Sequence, residues 1–235
     1  MSSTTTHSTL ITPSFHNDDI HPENSAHPLL LKAFQLIHDY LSRDNDLSEA
    51  DLANMADTPV RSAKAFASMV KTRTEIDKEI RHLLRTGFPM EKHEADYTPE
   101  LITQGPIRVY SLCPHHLLSV EYDVFVSYIP APDGMVLGLS KLARIVKTLS
   151  RRPVLQEQLA SDIADVLSWT EGQKMPGIKS TGSAVSLVGK HSCMSCRGVE
   201  SEAMTSSTAL RKEFWKPEME QKFYKAIELL TLRRD

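Results

Sequence analysis

Residues 120–129 read VEYDVFVSYI, with Val120, Tyr122, Val124, Val126 and Tyr128 at every second position. A period of two places these five on one face of a β-strand, because successive side chains leave opposite sides of the pleat. Upstream, after Pro106, Ile107-Arg108-Val109-Tyr110 reads as another strand. Downstream, Pro130, Pro132 and Gly134 mark a turn before a short return strand at Val136-Leu137. Two helical stripes follow. Ser140 is expected to cap a segment carrying Leu142, Ile145, Val146 and Leu149. Leu155, Leu159, Ile163 and Leu167 stripe the next one, after Pro153. Beyond a Gly/Lys/Ser/Thr loop at 171–183, AVSLVGKHSCMSCRGV (184–199) reads as a further pair of strands. Met219, Phe223, Ala226, Ile227 and Leu230 make 217–232 an amphipathic helix. The order β-β-α-α-β-β predicts an α+β fold with an antiparallel sheet.

Residues 1–27 are rich in Ser, Thr, His, Pro and Asn, and read as a flexible arm. Helical spacing begins at Pro28 with Leu30, Phe34, Ile37 and Leu41. A second helix is expected with Thr58 as N-cap, Pro59 at its first position and Ala63, Phe66, Ala67 and Val70 as its stripe. A third is expected from about Glu75 to Arg85, stopping at Gly87. The chain thus divides into an arm (1–27), a helical region (28–100) and an α+β domain (101–235). It carries 27 Lys+Arg against 30 Asp+Glu, a net charge of −3, which argues against a dedicated duplex-DNA binder. Three cysteines are too few, and an odd number, for a disulfide scaffold. No apolar run reaches the roughly 18 residues of a membrane span, and the opening residues lack a signal peptide's basic and apolar regions. A soluble cytoplasmic protein, with neither nucleic acid nor membrane as partner, is expected.

The three cysteines fall near the last three histidines of the chain, in Cys113-Pro114-His115-His116 and in the stretch from His191 to Cys196. Zinc favours thiolate and imidazole, and a catalytic zinc keeps three protein ligands and one open position. On an extended strand His191, Cys193, Ser195 and Arg197 share one face, while Met194 and Cys196 share the other. That parity allows Cys193 as a ligand alongside His191 and makes Cys196 the better candidate for a small apolar filler. Cys113, Cys193 and one of the paired histidines would leave two histidines for acid/base work. Taken alone, each half-site is as compatible with structural cysteines. Ser140-Lys141-Leu142-Ala143-Arg144 opens a helix with two cations on one face, suited to phosphate or to plain solvation. At Gln156-Glu157 a carboxylate could accept two N–H groups from a guanine edge, or be an ordinary surface residue.

Taken together, C-x-H-H, then YIP, V-L-G-L-S-K-L-A-R-I-V, S-R-R-P-x-x-Q-E and H-x-C-M-x-x-R-G-V resemble the GTP cyclohydrolase I family over roughly residues 57–210. The resemblance implies a T-fold subunit, with paired helices on one face of its sheet. It further implies a ring-forming homo-oligomer, usually a decamer of two pentamers, with active sites shared between neighbours. It puts Zn2+ on Cys113, His116 and Cys193, and catalytic roles on His115 and His191. Guanine falls to Glu157 with Gln156 adjacent, and the triphosphate to Lys141, Arg144 and Arg197 with Ser140 nearby. The implied reaction converts GTP and water to 7,8-dihydroneopterin triphosphate and formate, for a folate, biopterin or 7-deazapurine pathway left open. Two departures stand out. Pro114 replaces the usual Glu, and Ala209-Leu210-Arg211-Lys212 replaces the usual Leu-Gly. They leave two alternatives, a T-fold protein for another purine nucleotide or a non-catalytic zinc- or purine-binding homologue. Retention of Glu157, Lys141, Arg144, His115 and His191 weighs against the second.

Overall fold

A computed structural model describes residues 27–44, 47–89, 101–132 and 135–232. The expected arm lies almost wholly outside the described residues, as does Gly134 of the expected turn. The chain divides at Ser68/Met69 into two compact units. The first holds α1 (Pro28–Asp44), α2 (Glu49–Met55) and most of α3 (Thr58–Met69). Ser48 and Asp51 cap α2 reciprocally, and Phe34 of α1 meets Phe66 of α3 at a centroid distance of 6.1 Å. Thr58 is the first residue of α3 rather than its cap, and Val70 lies just past its end.

The second unit opens with α4 (Arg73–Leu83), which starts earlier than expected because Thr72 and Glu75 form a capping box. Its Ile76, Ile80 and Leu83 are buried. Two short strands, β1 (Gly87–Pro89) and β4 (Met135–Leu137), pair antiparallel, and β1 was not expected. The main sheet contains β2 (Ile102–Leu112), β3 (Ser119–Pro130), β5 (Ser180–His191) and β6 (Thr205–Lys212), in the order β2-β3-β5-β6 with every pair antiparallel. Val120, Tyr122, Val124, Val126 and Tyr128 are all buried, as the alternation requires. They join one core with Leu142, Ile145, Val146 and Leu149 of α5 (Leu139–Ser150) and Leu159, Ile163 and Leu167 of α6 (Gln156–Leu167). On the opposite face Ile129 and Ala184 pack with Phe214 and with Phe223 of α8 (Pro217–Leu232). Among the described residues no helix is long and apolar enough to cross a membrane.

Three expectations change. Leu155 is 42% exposed, since the backbone there is still extended and α6 begins one residue later. Ser140 does not cap α5: Gly138 holds that position without a side-chain hydrogen bond, and Ser140 is exposed within the first turn. Residues 184–199 do not form two strands. β5 ends at His191, Ser192–Ser195 makes a single helical turn (α7), and the next strand waits until Thr205.

Several polar groups of β5 and β6 are satisfied by α6 itself. Ser183 Oγ donates to the Ala164 carbonyl and Ser180 Oγ to that of Leu167, each at 2.7 Å. Arg211 of β6 donates to Asp165 at 2.7 Å and to Ser161 at 2.6 Å. These bonds fix the height and rotation of α6 over β5 and β6. Truncation of fully buried Ile163 to Ala should cost about 2–5 kcal/mol. Leu155→Ala should stay within roughly 1 kcal/mol. The midpoints of chemical denaturation give both numbers, and equal losses would refute the altered stripe.

Candidate active site and metal centre

The loop between β2 and β3 is closed by two backbone bonds, Cys113 N–H to the Leu118 carbonyl and Leu117 N–H to the Cys113 carbonyl, both at 2.8 Å. Pro114 sits at the exposed start of the turn, where proline's fixed φ is favourable, and neither closing bond needs its nitrogen. This tight loop directs Cys113, 6% exposed, and His116 toward each other, with Nδ1 of His116 3.5 Å from the cysteine sulfur. His115 Nδ1 lies at 3.9 Å from the same sulfur. The β3–β5 register sets Val120 opposite His191, so the end of β5 arrives beside the loop. The turn of α7 then swings Cys193 inward. Ligand atoms of Cys113, His116 and Cys193 all lie within 4.8 Å of one another.

Two thiols and an imidazole so grouped suit a tetrahedral ion with bonds of about 2.0–2.3 Å, and the soft donor set favours zinc. Burial pushes the Cys193 thiol up, and the neighbouring Cys113 adds to this while Arg197 opposes it. A metal would have to displace these thiol protons on binding. Cys193 reaches this place by a helical turn and not by strand alternation. For the same reason Cys196 is no core filler. It ends the turn, its N–H donating to the Ser192 carbonyl at 2.9 Å, and its side chain is exposed.

The three residues edge a cleft of about 320 Å³ that His115, Gln156, Glu157, His191 and Thr205 also line. Glu157 is exposed in the first turn of α6, where the helix dipole favours a carboxylate. Gln156 is buried. Its Nε2 donates to the carbonyls of Leu187 and Thr205, both at 3.3 Å, and its Oε1 accepts from the Thr205 hydroxyl at 2.6 Å. The same Oε1 lies 3.0 Å from His191 Nε2. The His191 imidazole also meets the Tyr122 ring edge-on at 5.8 Å. Burial lowers the His191 pKa and Glu157 partly offsets this. Tyr122 is fully buried with no hydrogen-bond partner for its hydroxyl, and burial pushes its phenol up, helped by the charges of Cys113 and Glu157.

Ser140, Lys141 and Arg144 do not reach this cleft. The N–H of Leu137, just before α5, donates to the Tyr128 hydroxyl at 2.9 Å and ties the start of that helix to the far end of β3. Eight residues of strand separate Tyr128 from Val120, about 26 Å at 3.3 Å per residue. Arg197 is exposed beyond α7 and outside the cleft lining, although its charge acts on Cys193. Sequence reasoning missed Thr205 and the part Tyr122 plays. Thr205 follows an irregular stretch and gains its neighbours only through the β5–β6 register, and Tyr122 reads simply as core.

The model of the family described as GTP cyclohydrolase I matches residues 38–228. The chain belongs to the GTP cyclohydrolase I family. It is therefore an enzyme of that family. Among its relatives is the GTP cyclohydrolase 1 of Dehalococcoides mccartyi, 34% identical over 72% of this chain and 81% of that protein. Those of Mycolicibacterium gilvum and Mycolicibacterium paratuberculosis are 35% and 37% identical, each over 71% of this chain and over 75% and 74% of their own. A solved apo structure of the archaeosine synthase QueF-Like covers 48% of this chain and 96% of its own at 21% identity. Its TM-score is 0.34, too loose an overlap to argue from.

In this chain the C-x-x-C spacing of Cys193 and Cys196 separates an inward thiol from an outward one. Zinc bound per chain, measured by elemental analysis after dialysis, should be unchanged in Cys196→Ser. It should fall at least tenfold, on the order of the loss expected for a missing ligand, in Cys193→Ser and Cys113→Ser. Loss of zinc in Cys196→Ser would contradict the assignment.

Proposed function

We propose that this chain is a zinc-dependent GTP cyclohydrolase I that converts GTP and water to 7,8-dihydroneopterin triphosphate and formate. The observation that carries the reading is the convergence of Cys113, His116 and Cys193 on a cleft that also presents His115, His191 and Glu157. A structural zinc site has no use for the last three. Cys113, His116 and Cys193 would hold the ion, which when bound supplies a Lewis acid and a strong oxygen nucleophile near neutral pH.

The chain's own groups do the rest. Glu157 accepts two hydrogen bonds from the N1–H and N2–H edge of guanine, a pairing adenine cannot offer. His115 and His191 take and return protons as the imidazole ring of guanine opens and formate leaves. The cleft, at about 320 Å³, lies within the usual range for small-molecule sites. Holding the opened intermediate by its base and its triphosphate keeps the reacting groups in register until the new ring closes.

The triphosphate contacts extend the proposal to an assembly. Lys141 and Arg144 stand at the N-terminus of α5, at the other end of the sheet from their own cleft. They therefore serve the cleft of a neighbouring copy, as in a T-fold ring with shared sites, while Arg197 serves from beside Cys193. The catalytic domain of this reading spans residues 101–235, preceded by the helical region (28–100) and the arm (1–27), and the protein is cytoplasmic.

Incubation of the zinc-loaded oligomer with GTP should release formate and, after oxidation, a fluorescent pterin. No turnover by a zinc-replete, assembled protein would sink the proposal. Glu157→Gln should lower kcat/KM for GTP by about 10- to 100-fold, the value of one good bidentate base contact. A mixing experiment tests the shared site. Lys141→Ala and Cys113→Ser oligomers, each inactive, should regain activity when dissociated and reassembled together, since some clefts then combine an intact metal site with an intact α5. Failure to complement would place all the contacts within one chain.

A further inference from the structure

Gln156 adjoins the proposed guanine carboxylate, and its sequence position suggests a second contact to the base. Its surroundings assign it other work. The side chain is 6% exposed, and each hydrogen-bonding position of its amide is occupied by protein. The atom 3.3 Å from the carbonyls of both Leu187 and Thr205 faces two groups that can only accept, so it must be the amide nitrogen, with both hydrogens used. The amide oxygen accordingly faces Thr205 and His191. One lone pair takes the Thr205 hydroxyl at 2.6 Å, and the other meets His191 Nε2 at 3.0 Å. An imidazole nitrogen that faces an acceptor must carry a hydrogen. In the neutral ring the free lone pair is then on Nδ1.

We infer that Gln156, locked in orientation by Thr205, is a positioning residue that holds His191 as its Nε2–H tautomer, with the lone pair on Nδ1.

The surroundings are shaped for this contact. Gly189 lies opposite Tyr122 on one side and Thr205 on the other in the sheet register. A Cβ at Gly189 would stand 2.6 Å from Tyr122 Cε1 and 3.0 Å from Gln156 Oε1. Only glycine lets the phenol ring and the amide close in together beside the imidazole. Tyr122 then meets the imidazole edge-on at 5.8 Å and 84°, so the ring is held by packing as well as by its nitrogen.

The expected effect on kcat rests on the proposed role of His191, whereas the tautomer does not. The decisive measurement is 15N NMR of the zinc-loaded protein labelled at histidine, at mildly alkaline pH, with His191 assigned through a His191→Gln variant. The expected pattern is a protonated Nε2 and an unprotonated Nδ1. The reverse pattern in the unaltered protein would overturn the inference. In Gln156→Leu, the His191 signals should shift toward a tautomer mixture, with zinc content retained. The kcat for GTP should fall about 10- to 100-fold, the usual cost of losing an imidazole's orienting partner, while KM changes less than about threefold. A Gln156→Leu enzyme with raised KM, unchanged kcat and an unshifted His191 would make Gln156 a substrate contact instead. Should that variant fail to fold, Thr205 carries the test. Thr205→Ser should keep the original spectrum and kcat, and Thr205→Val should move both in the direction expected of Gln156→Leu. A Thr205→Val protein identical to the original in both would count against the inference. If the unaltered enzyme does not turn over GTP, the proposed function fails, and the NMR pattern still decides the tautomer.

Discussion

The register of β3 against its two neighbours is the constraint on which the rest of the structure depends. β3 is paired along its length on both edges, with Val120 opposite Ser111 of β2 and His191 of β5. At that end the loop carrying Cys113 and His116 leaves β2, and the turn carrying Cys193 leaves β5. A slip of one residue would turn Tyr122, Val124, Val126 and Tyr128 away from α5 and α6. It would also carry His191 and Cys193 past the loop. The apolar alternation that makes the core is thus the same device that brings two sulfurs and an imidazole together. Burial energy, large and distributed, fixes a geometry that the few polar groups of the site could not hold unaided.

That dependence explains what could be read in the chain. The alternation of β3 and the stripe of α5 are dictated by a buried face and are visible in sequence. Metal chemistry restricts the residue types, so the two Cys/His stretches were legible as half-sites, while the choice of Cys113, His116 and Cys193 came from the family resemblance. The route to Cys193 was not legible. Strand parity over 191–197 selected the cysteine that joins the group, but by the wrong geometry, since the chain leaves the sheet at His191 and makes a helical turn. Parity would bury Cys196, whereas the turn exposes it. A change of backbone within such a short stretch leaves no periodic signal. The pairing of β1 with β4 was hidden similarly: Val136-Leu137 reads as a short strand, but nothing in the three residues of β1 marks them as its partner. Thr205 and Gly189 acquire meaning only from cross-strand neighbours, which a linear reading does not supply.

The positions of Lys141 and Arg144 teach a related lesson. Their helix-start setting and charge were legible, but distance is a property of topology. α5 begins beside Tyr128 and returns toward the loop, so its N-terminus is directed away from the cleft of its own chain. Sequence can nominate a phosphate-binding turn without saying whose phosphate it meets. Here strand length alone, about 26 Å between the two ends, sets these cations apart from the cleft of their own chain.

Gln156 and Glu157 show how one turn of helix divides two tasks. Consecutive residues on a helix are rotated by about 100°, so they cannot both face the core. Gln156 turns inward to Leu187, Thr205 and His191, and Glu157 turns outward toward the cleft. The amide beside the His191 imidazole and the carboxylate proposed for guanine therefore move as one body. That body is anchored at its other end by Arg211, which sits in the segment where the family usually has Leu-Gly and which grips Asp165 and Ser161 of α6. A displacement of α6 large enough to misplace the base would also strain the hydrogen bond to His191. In the proposed reaction, the guanine carboxylate and the His191 imidazole are thereby coupled through the first turn of α6, without any moving part between them.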